Sequence, residues 1–151
     1  MLKIRVGEED FDAGAELAAL GGEGVGGIAS FIGTVRATHG TERPLAALHL
    51  EHYPQMTERA MRRIAEQAMR RWPLIRCTII HRVGRLLPEQ NIVFVGASSP
   101  HREAALSAIS FLIDWLKTSA PFWKREEFCS GESIWVAARE SDDDAAARWN
   151  G

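Results

Sequence analysis

The stretch Ile75-Arg76-Cys77-Thr78-Ile79-Ile80-His81-Arg82-Val83, a turn from Gly84 to Gln90, Asn91-Ile92-Val93-Phe94-Val95-Gly96-Ala97 and then Ser98-Ser99-Pro100 decides the fold. Its two apolar runs read as strands, and the continuously apolar segment from Ile92 to Val95 has the character of a central strand. Seven residues between them fit a hairpin-like connection rather than a helical crossover. A serine cap and a proline at the first helical position predict a helix opening directly behind the second strand. This helix runs through Ala105, Ile109, Leu112 and Leu116 and stops before Pro121.

Working outward, Leu2, Ile4 and Val6 alternate with Lys3 and Arg5, as in a half-buried strand. Asp12 is placed to cap a short helix through Leu20, which Gly21 and Gly22 stop. A glycine loop follows and leads into a strand from Ile28 to about Arg36, then a polar loop from His39 to Pro44 and a strand from Leu45 to His52. The loop is not a phosphate loop, because no Gly-Lys-Ser/Thr ending and no helix lie behind it. Thr57 is the expected N-cap of a helix with Met61, Ile64, Ala65, Ala68, Met69 and Trp72 on one apolar stripe. Arg59, Arg62, Arg63 and Arg70 fall mostly off that stripe and read as a solvated face. A last strand is expected from Ile134 to Arg139. The order β-α-β-β-α-β-β-α-β predicts a two-layer α+β fold, a mixed or antiparallel sheet with helices packed on it, as a single domain over residues 1–151.

Bulk properties exclude several classes. Hydrophobic content of 46% and charged content of 25% suit a globular protein. The net charge of -2 gives no support for nucleic-acid binding. No apolar run reaches the ~18 residues of a membrane span, and the start lacks the apolar stretch of a signal peptide. Cys77 reads as a buried hydrophobe, and Cys129 has no activating histidine beside it. A cytoplasmic location is the expectation.

Chemistry is expected in three places. Ser99-Pro100-His101-Arg102 puts a histidine and an arginine where the helix dipole is positive, an arrangement an anionic ligand would favour. Arg36 ends a strand and can meet a phosphate in bidentate geometry. The third place concerns lysine. Of 18 basic residues only three are lysines, and Lys117 and Lys124 bracket Pro121-Phe122-Trp123. An arginine stays protonated, whereas a lysine ammonium can give up its proton when desolvated. Two lysines held close near aromatic rings would suit acid-base work and stabilisation of an anion; the competing reading is a snorkelling lysine at each end of an aromatic plug. His49, Glu51 and His52 invite a metal reading, but on a strand His52 faces away from the other two, so no metal is expected.

Taken in order, residues 31–36 (FIGTVR), 50–58 (LEHYPQMTE), 81–84 (HRVG), 99–102 (SPHR) and 114–126 (DWLKTSAPFWKRE) resemble the large, catalytic subunit of molybdopterin synthase. The resemblance covers about residues 28 to 139. Gln55 stands where that family usually has glycine, and Thr34 where a lysine can occur, which leaves more of the anion binding to Arg36. The resemblance implies a sulfurtransferase without a cofactor. It would insert two sulfurs into cyclic pyranopterin monophosphate to form a dithiolene. The sulfur would arrive as a thiocarboxylate on the C-terminal Gly-Gly of a small ubiquitin-like subunit. The implied assembly is a heterotetramer around a homodimer of the large subunit. Lys117 and Lys124 are implied as catalytic, and Thr34, Val35, Arg36, His101, Arg102, Arg125 and Glu126 as substrate-binding. A binding module that keeps this fold, or an enzyme acting on another phosphorylated metabolite, is the alternative.

One inference rests on length. His101 and Lys117 are 16 residues apart on one predicted helix, hence roughly 24 Å at ~1.5 Å per residue. A small pterin would not span both, so each site is expected to be shared between two copies of the chain.

Overall fold

The two strands that decide the fold pair as expected. The computed structural model describes residues 1–39, 43–119, 121–136 and 149. In chain order the elements are β1 (Leu2–Gly7), α1 (Ala13–Leu20), β2 (Gly27–Thr34), β3 (Thr38–His39), β4 (Arg43–His52), α2 (Pro54–Arg71), β5 (Arg76–Arg82), β6 (Gly84–Leu86), β7 (Asn91–Ser99), α3 (Arg102–Thr118), β8 (Phe122–Phe128) and β9 (Ser133–Val136). One sheet has the order β1-β5-β7-β2, parallel between β1 and β5 and antiparallel elsewhere. The second has the order β3-β4-β8-β9, and β6 also pairs with β4. This is an α+β fold with mixed and antiparallel sheets.

Side-chain alternation along β5 and β7 builds a core on each face of the first sheet. Cys77, Ile79, Val95 and Ala97 face α2 and α3, meeting Met61, Ile64, Ala65 and Ala68 of the predicted stripe and Phe111 and Leu112. Ile80 and Phe94 face the other way, onto Phe11 and Leu20 beside α1. Burial pushes the Cys77 thiol up to about 12, so it packs as an inert hydrophobe. Arg59, Arg62, Arg63 and Arg70 are exposed.

Phe111 is fully buried between Trp72 and Trp149, with ring centroids 5.5 and 5.6 Å away. Phe111→Ala should therefore lower stability by about 3–5 kcal/mol, the usual cost of emptying a buried aromatic site. Urea unfolding checks this; a loss below about 1 kcal/mol would mean that the surrounding rings collapse into the gap.

Asp12 caps α1 as expected, its Oδ1 accepting from the Ala15 N–H at 3.1 Å. Two other starts differ from the sequence reading. Helix α2 begins at Pro54 behind Tyr53, not at Thr57. Proline supplies the helical φ without needing a donor there. Thr57 is buried one turn in, and its hydroxyl donates to the Tyr53 carbonyl at 2.8 Å. Helix α3 begins at Arg102 with His101 as its N-cap, because Ser98 and Ser99 still belong to β7. Ser99 Oγ instead accepts from the His101 N–H at 3.2 Å. Gly26 fits against this corner because a Cβ there would lie 2.1 Å from the Pro100 carbonyl oxygen.

Three strands were not anticipated: β3, β6 and β8. The first occupies part of the expected polar loop, and the second sits inside the expected turn. Strand β8 carries Lys124 and pairs with both β4 and β9. The final strand is described from Ser133 to Val136, and its expected continuation to Arg139 lies outside the described residues. Among the described residues, no helix is long and apolar enough to cross a membrane.

Candidate active site

The topology places the predicted site residues that follow β2 and those at the start of α3 at opposite edges of the first sheet, an edge here being the row of strand ends. Helix α3 follows β7 and packs back over β7 and β2. Its start therefore lies where β7 ends, and its last turn lies near where β7 begins. Register fixes the rest: Gly27 of β2 pairs with Ser99, and Thr34 pairs with Asn91. Thr34, Val35 and Arg36 thus belong to the edge at which α3 ends, whereas His101 and Arg102 lie at the other. Seven residue steps of β2 separate the edges by roughly 24 Å at ~3.4 Å per residue. In a single chain Arg36 does not join His101 and Arg102 around one phosphate.

Lys117 is exposed in the last turn of α3. Lys124 is half-buried on β8. Strand β8 reaches His81, near the end of β5, where it pairs with Val93. The His81 ring stacks on Phe122, two residues before Lys124, with centroids 3.8 Å apart and planes inclined by 17°. His52, opposite Phe122 on β4, brings its ring to 6.1 Å from the same phenyl group. Burial holds the His81 imidazole down to about 4, and the charges of Lys124, Lys117 and His52 act in the same direction. Its hydrogen bond to the Arg82 carbonyl opposes them. The ring is therefore neutral near pH 7. Because its folded value lies below the ordinary 6.5, the unfolded chain takes up the proton first. That contribution to stability falls as the pH drops from 6.5 towards about 4 and is level below it.

Alternation along β8 separates the remaining residues. Lys124 and Glu126 share the inner face with Phe122 and Phe128, and Glu126 is only 7% exposed. Arg125 is on the other face, where its guanidinium donates to Ser133 Oγ at 2.8 Å and lies 6.0 Å from the Trp135 ring. Glu127 shares that outer face and bonds to Arg85 and His49, each at 2.8 Å. These hydrogen bonds, from Arg85 first and His49 second, hold its carboxyl down to about 2. His49 is thus engaged by a carboxylate, on the face opposite His52. Among the described residues no group of three or more His, Cys, Asp or Glu is arranged to hold a metal.

Val35 is buried, and its backbone is pinned from both sides: its N–H donates to Gln90 O at 2.9 Å and its carbonyl accepts from Glu89 N–H at 2.8 Å. That fixes the strand end from which the exposed Arg36 projects. The sequence reading placed Phe122 between the lysines, weighed His52 only as a metal ligand and gave His81 no site role; the structure brings these three rings together. The available signal was a histidine ending the run Ile79-Ile80, where the strand is otherwise apolar.

Residues 6–119 match the family model described as MoaE protein. The chain belongs to the MoaE family. Among MoaE relatives, a molybdopterin synthase catalytic subunit from Ralstonia nicotianae is 50% identical over 151 residues, 99% of this chain and 85% of the relative. A protein of the same name from Pseudomonas aeruginosa is 49% identical over 150 residues, 98% of this chain and 99% of its own length. A solved MoaE structure from Burkholderia ambifaria superposes with a TM-score of 0.84 at 48% identity, covering 100% of this chain and 99% of that one. As a MoaE-family member the chain is an enzyme subunit.

Proposed function

We propose that this MoaE-family chain is the catalytic subunit of a molybdopterin synthase, moving two sulfurs from a thiocarboxylated small partner to cyclic pyranopterin monophosphate in the cytoplasm. The observation that carries the reading is that Lys117 and Lys124, from separate elements, both bring positive charge to bear on one buried imidazole. The names of relatives at 50% and 49% identity support the substrate class.

The chemistry needs positive charge at one point. Once the thiocarboxylate sulfur has bonded to a pterin carbon, carrier and pterin are joined as a thioester. Water then adds to its acyl carbon, and the tetrahedral oxyanion collapses with cleavage of the C–S bond, leaving the sulfur on the pterin and a carboxylate on the carrier. An ammonium group preplaced at this oxygen stabilises it, and a second lysine can attract the thiocarboxylate or move a proton. Arg36, with Thr34 and Val35, would bind substrate at the lysine edge. His101 and Arg102, at the start of α3, form an anion site at the opposite edge, where helix dipole and side-chain charge act together. Glu126 sits on the lysine face of β8 and Arg125 on its reverse, so their proposed substrate roles require different surfaces. A homodimer would bring the lysine edge of one chain to the anion site of its mate, inside a heterotetramer with two small subunits.

Incubation with cyclic pyranopterin monophosphate and a small ubiquitin-like subunit ending in a Gly-Gly thiocarboxylate should yield the dithiolene product, with no product from the carboxylate form of that subunit. Absence of dithiolene with the thiocarboxylated form would refute the proposal.

A further inference from the structure

The chemistry described above leaves Arg82 unused, although its side chain is only 12% exposed. Its Nε and Nη2 both donate to the Glu8 carbonyl, at 3.1 and 3.0 Å, and Nη1 donates to the Asn91 carbonyl at 3.0 Å. The planar fork thus ties the loop between β1 and α1 to the first residue of β7. A carboxylate reinforces the tie. Asp10 Oδ1 lies 4.0 Å from Nη1 and accepts from Asn91 Nδ2 at 3.1 Å and from the Phe11 N–H at 2.8 Å.

Asn91 is also where the ladder between β7 and β2 changes register. Gly33 pairs with Val93 but Thr34 pairs with Asn91, so the ladder skips Ile92. A bulge of this kind bends the pair of strands and re-aims the side chains beside it, here those of Thr34, Val35 and Arg36. The residues just before Asn91 then hold Val35. Its N–H donates to Gln90 O at 2.9 Å, and its carbonyl accepts from the Glu89 N–H at 2.8 Å. Glu89 has a φ of 73°, a left-handed conformation that a residue with a side chain adopts only where its surroundings enforce it. A continuous path therefore runs from the Arg82 guanidinium through Asn91 and Gln90 to the backbone of Val35, next to Arg36.

We propose that Arg82 is a positioning residue for substrate binding: by clamping Asn91 to the loop between β1 and α1, it fixes the bulged strand end from which Arg36 meets the substrate phosphate. What Arg36 binds rests on the sulfur-transfer reading above; the clamp does not. Arg82 acts only through Arg36. A lysine in its place would keep the charge, but a single ammonium point does not reproduce a rigid fork across two carbonyls.

Backbone ¹⁵N relaxation reads the clamp without reference to activity. In Arg82→Met the order parameters of Val35, Glu89 and Asn91 should fall below the roughly 0.85 of a rigid backbone, while those of Ile79 and Val95 in the same sheet stay there. Rigid values at all five positions, or an equal fall at all five, overturn the proposal. Kinetics read the consequence. Arg82→Met should raise KM for cyclic pyranopterin monophosphate about tenfold with kcat within about twofold. In an Arg36→Ala background the same change should raise KM by less than about twofold, because its effect runs through Arg36. Fully additive increases, or a loss confined to kcat, overturn the positioning role. Arg82→Lys should fall between wild type and Arg82→Met in both measurements. Should Arg82→Met fail to fold, Arg82→Lys decides, and wild-type values in that variant then overturn the proposal. Failure of the wild-type protein to make dithiolene would instead refute the sulfur-transfer reading, with the order parameters still deciding the clamp.

Discussion

Lys117→Ala and Lys124→Ala should each reduce the rate of dithiolene formation by about 10²–10³-fold, the range found when one preplaced donor to an oxyanion is removed. Lys117 is exposed, and its truncation removes little packing. Lys124 is half-buried, so its variant requires a check of the unfolding midpoint before the rate is interpreted. Lys117→Arg separates two roles, since arginine keeps the charge but does not give up its proton at working pH. A rate near wild type in that variant assigns Lys117 to electrostatic stabilisation; a rate near that of Lys117→Ala assigns it to proton transfer. Arg125→Ala provides a contrast, because Arg125 occupies the reverse face of β8. Its effect should fall on substrate or partner affinity rather than on the rate at saturation. Single-turnover measurement of product formation checks all four variants. Alanine variants of both lysines within tenfold of wild type would remove the lysine pair from the chemistry.

Much of this arrangement was legible in the sequence, for identifiable reasons. The apolar segment from Ile92 to Val95 had to be a central strand, and it lies between β5 and β2. The stripe from Met61 to Ala68 had to face a core, and those residues are buried. Lys117 and Lys124 stood out by residue type in a chain that otherwise uses arginine. Strand β8 was not legible because Lys124, Arg125, Glu126 and Glu127 put charge on both of its faces, which hides a period of two. What makes it a strand is pairing with β4 and β9, a tertiary effect. The start of α3 was misplaced for a related reason. Ser98 and Ser99 have the composition of a cap, but pairing with Ile28 and Gly27 holds them in the sheet. His81 entered the sequence reading only as the first residue of the 81–84 motif; the aromatic ring that makes it part of the site is brought to it by β8.

The helix arithmetic survives the shift in boundaries. His101 and Lys117 are the N-cap and a last-turn residue of one continuous helix, and β2 independently separates the Arg36 edge from the His101 edge. These two rulers carry the central claim, that a complete site takes its lysines from one chain and its His101-Arg102 anion site from another. In a two-fold dimer each chain would contribute to both sites. A chain with Lys117→Ala paired with a chain with His101→Ala then places both lesions in one site and leaves the other intact.

The direct measurement is the rate of dithiolene formation after the two variants are mixed in equal amounts and subunit exchange is confirmed by mass. Random exchange makes half of the dimers mixed, with one intact site in each, so the account predicts recovery to about a quarter of the wild-type rate. A mixture with confirmed exchange that stays at the mean of the two single variants would contradict the shared site.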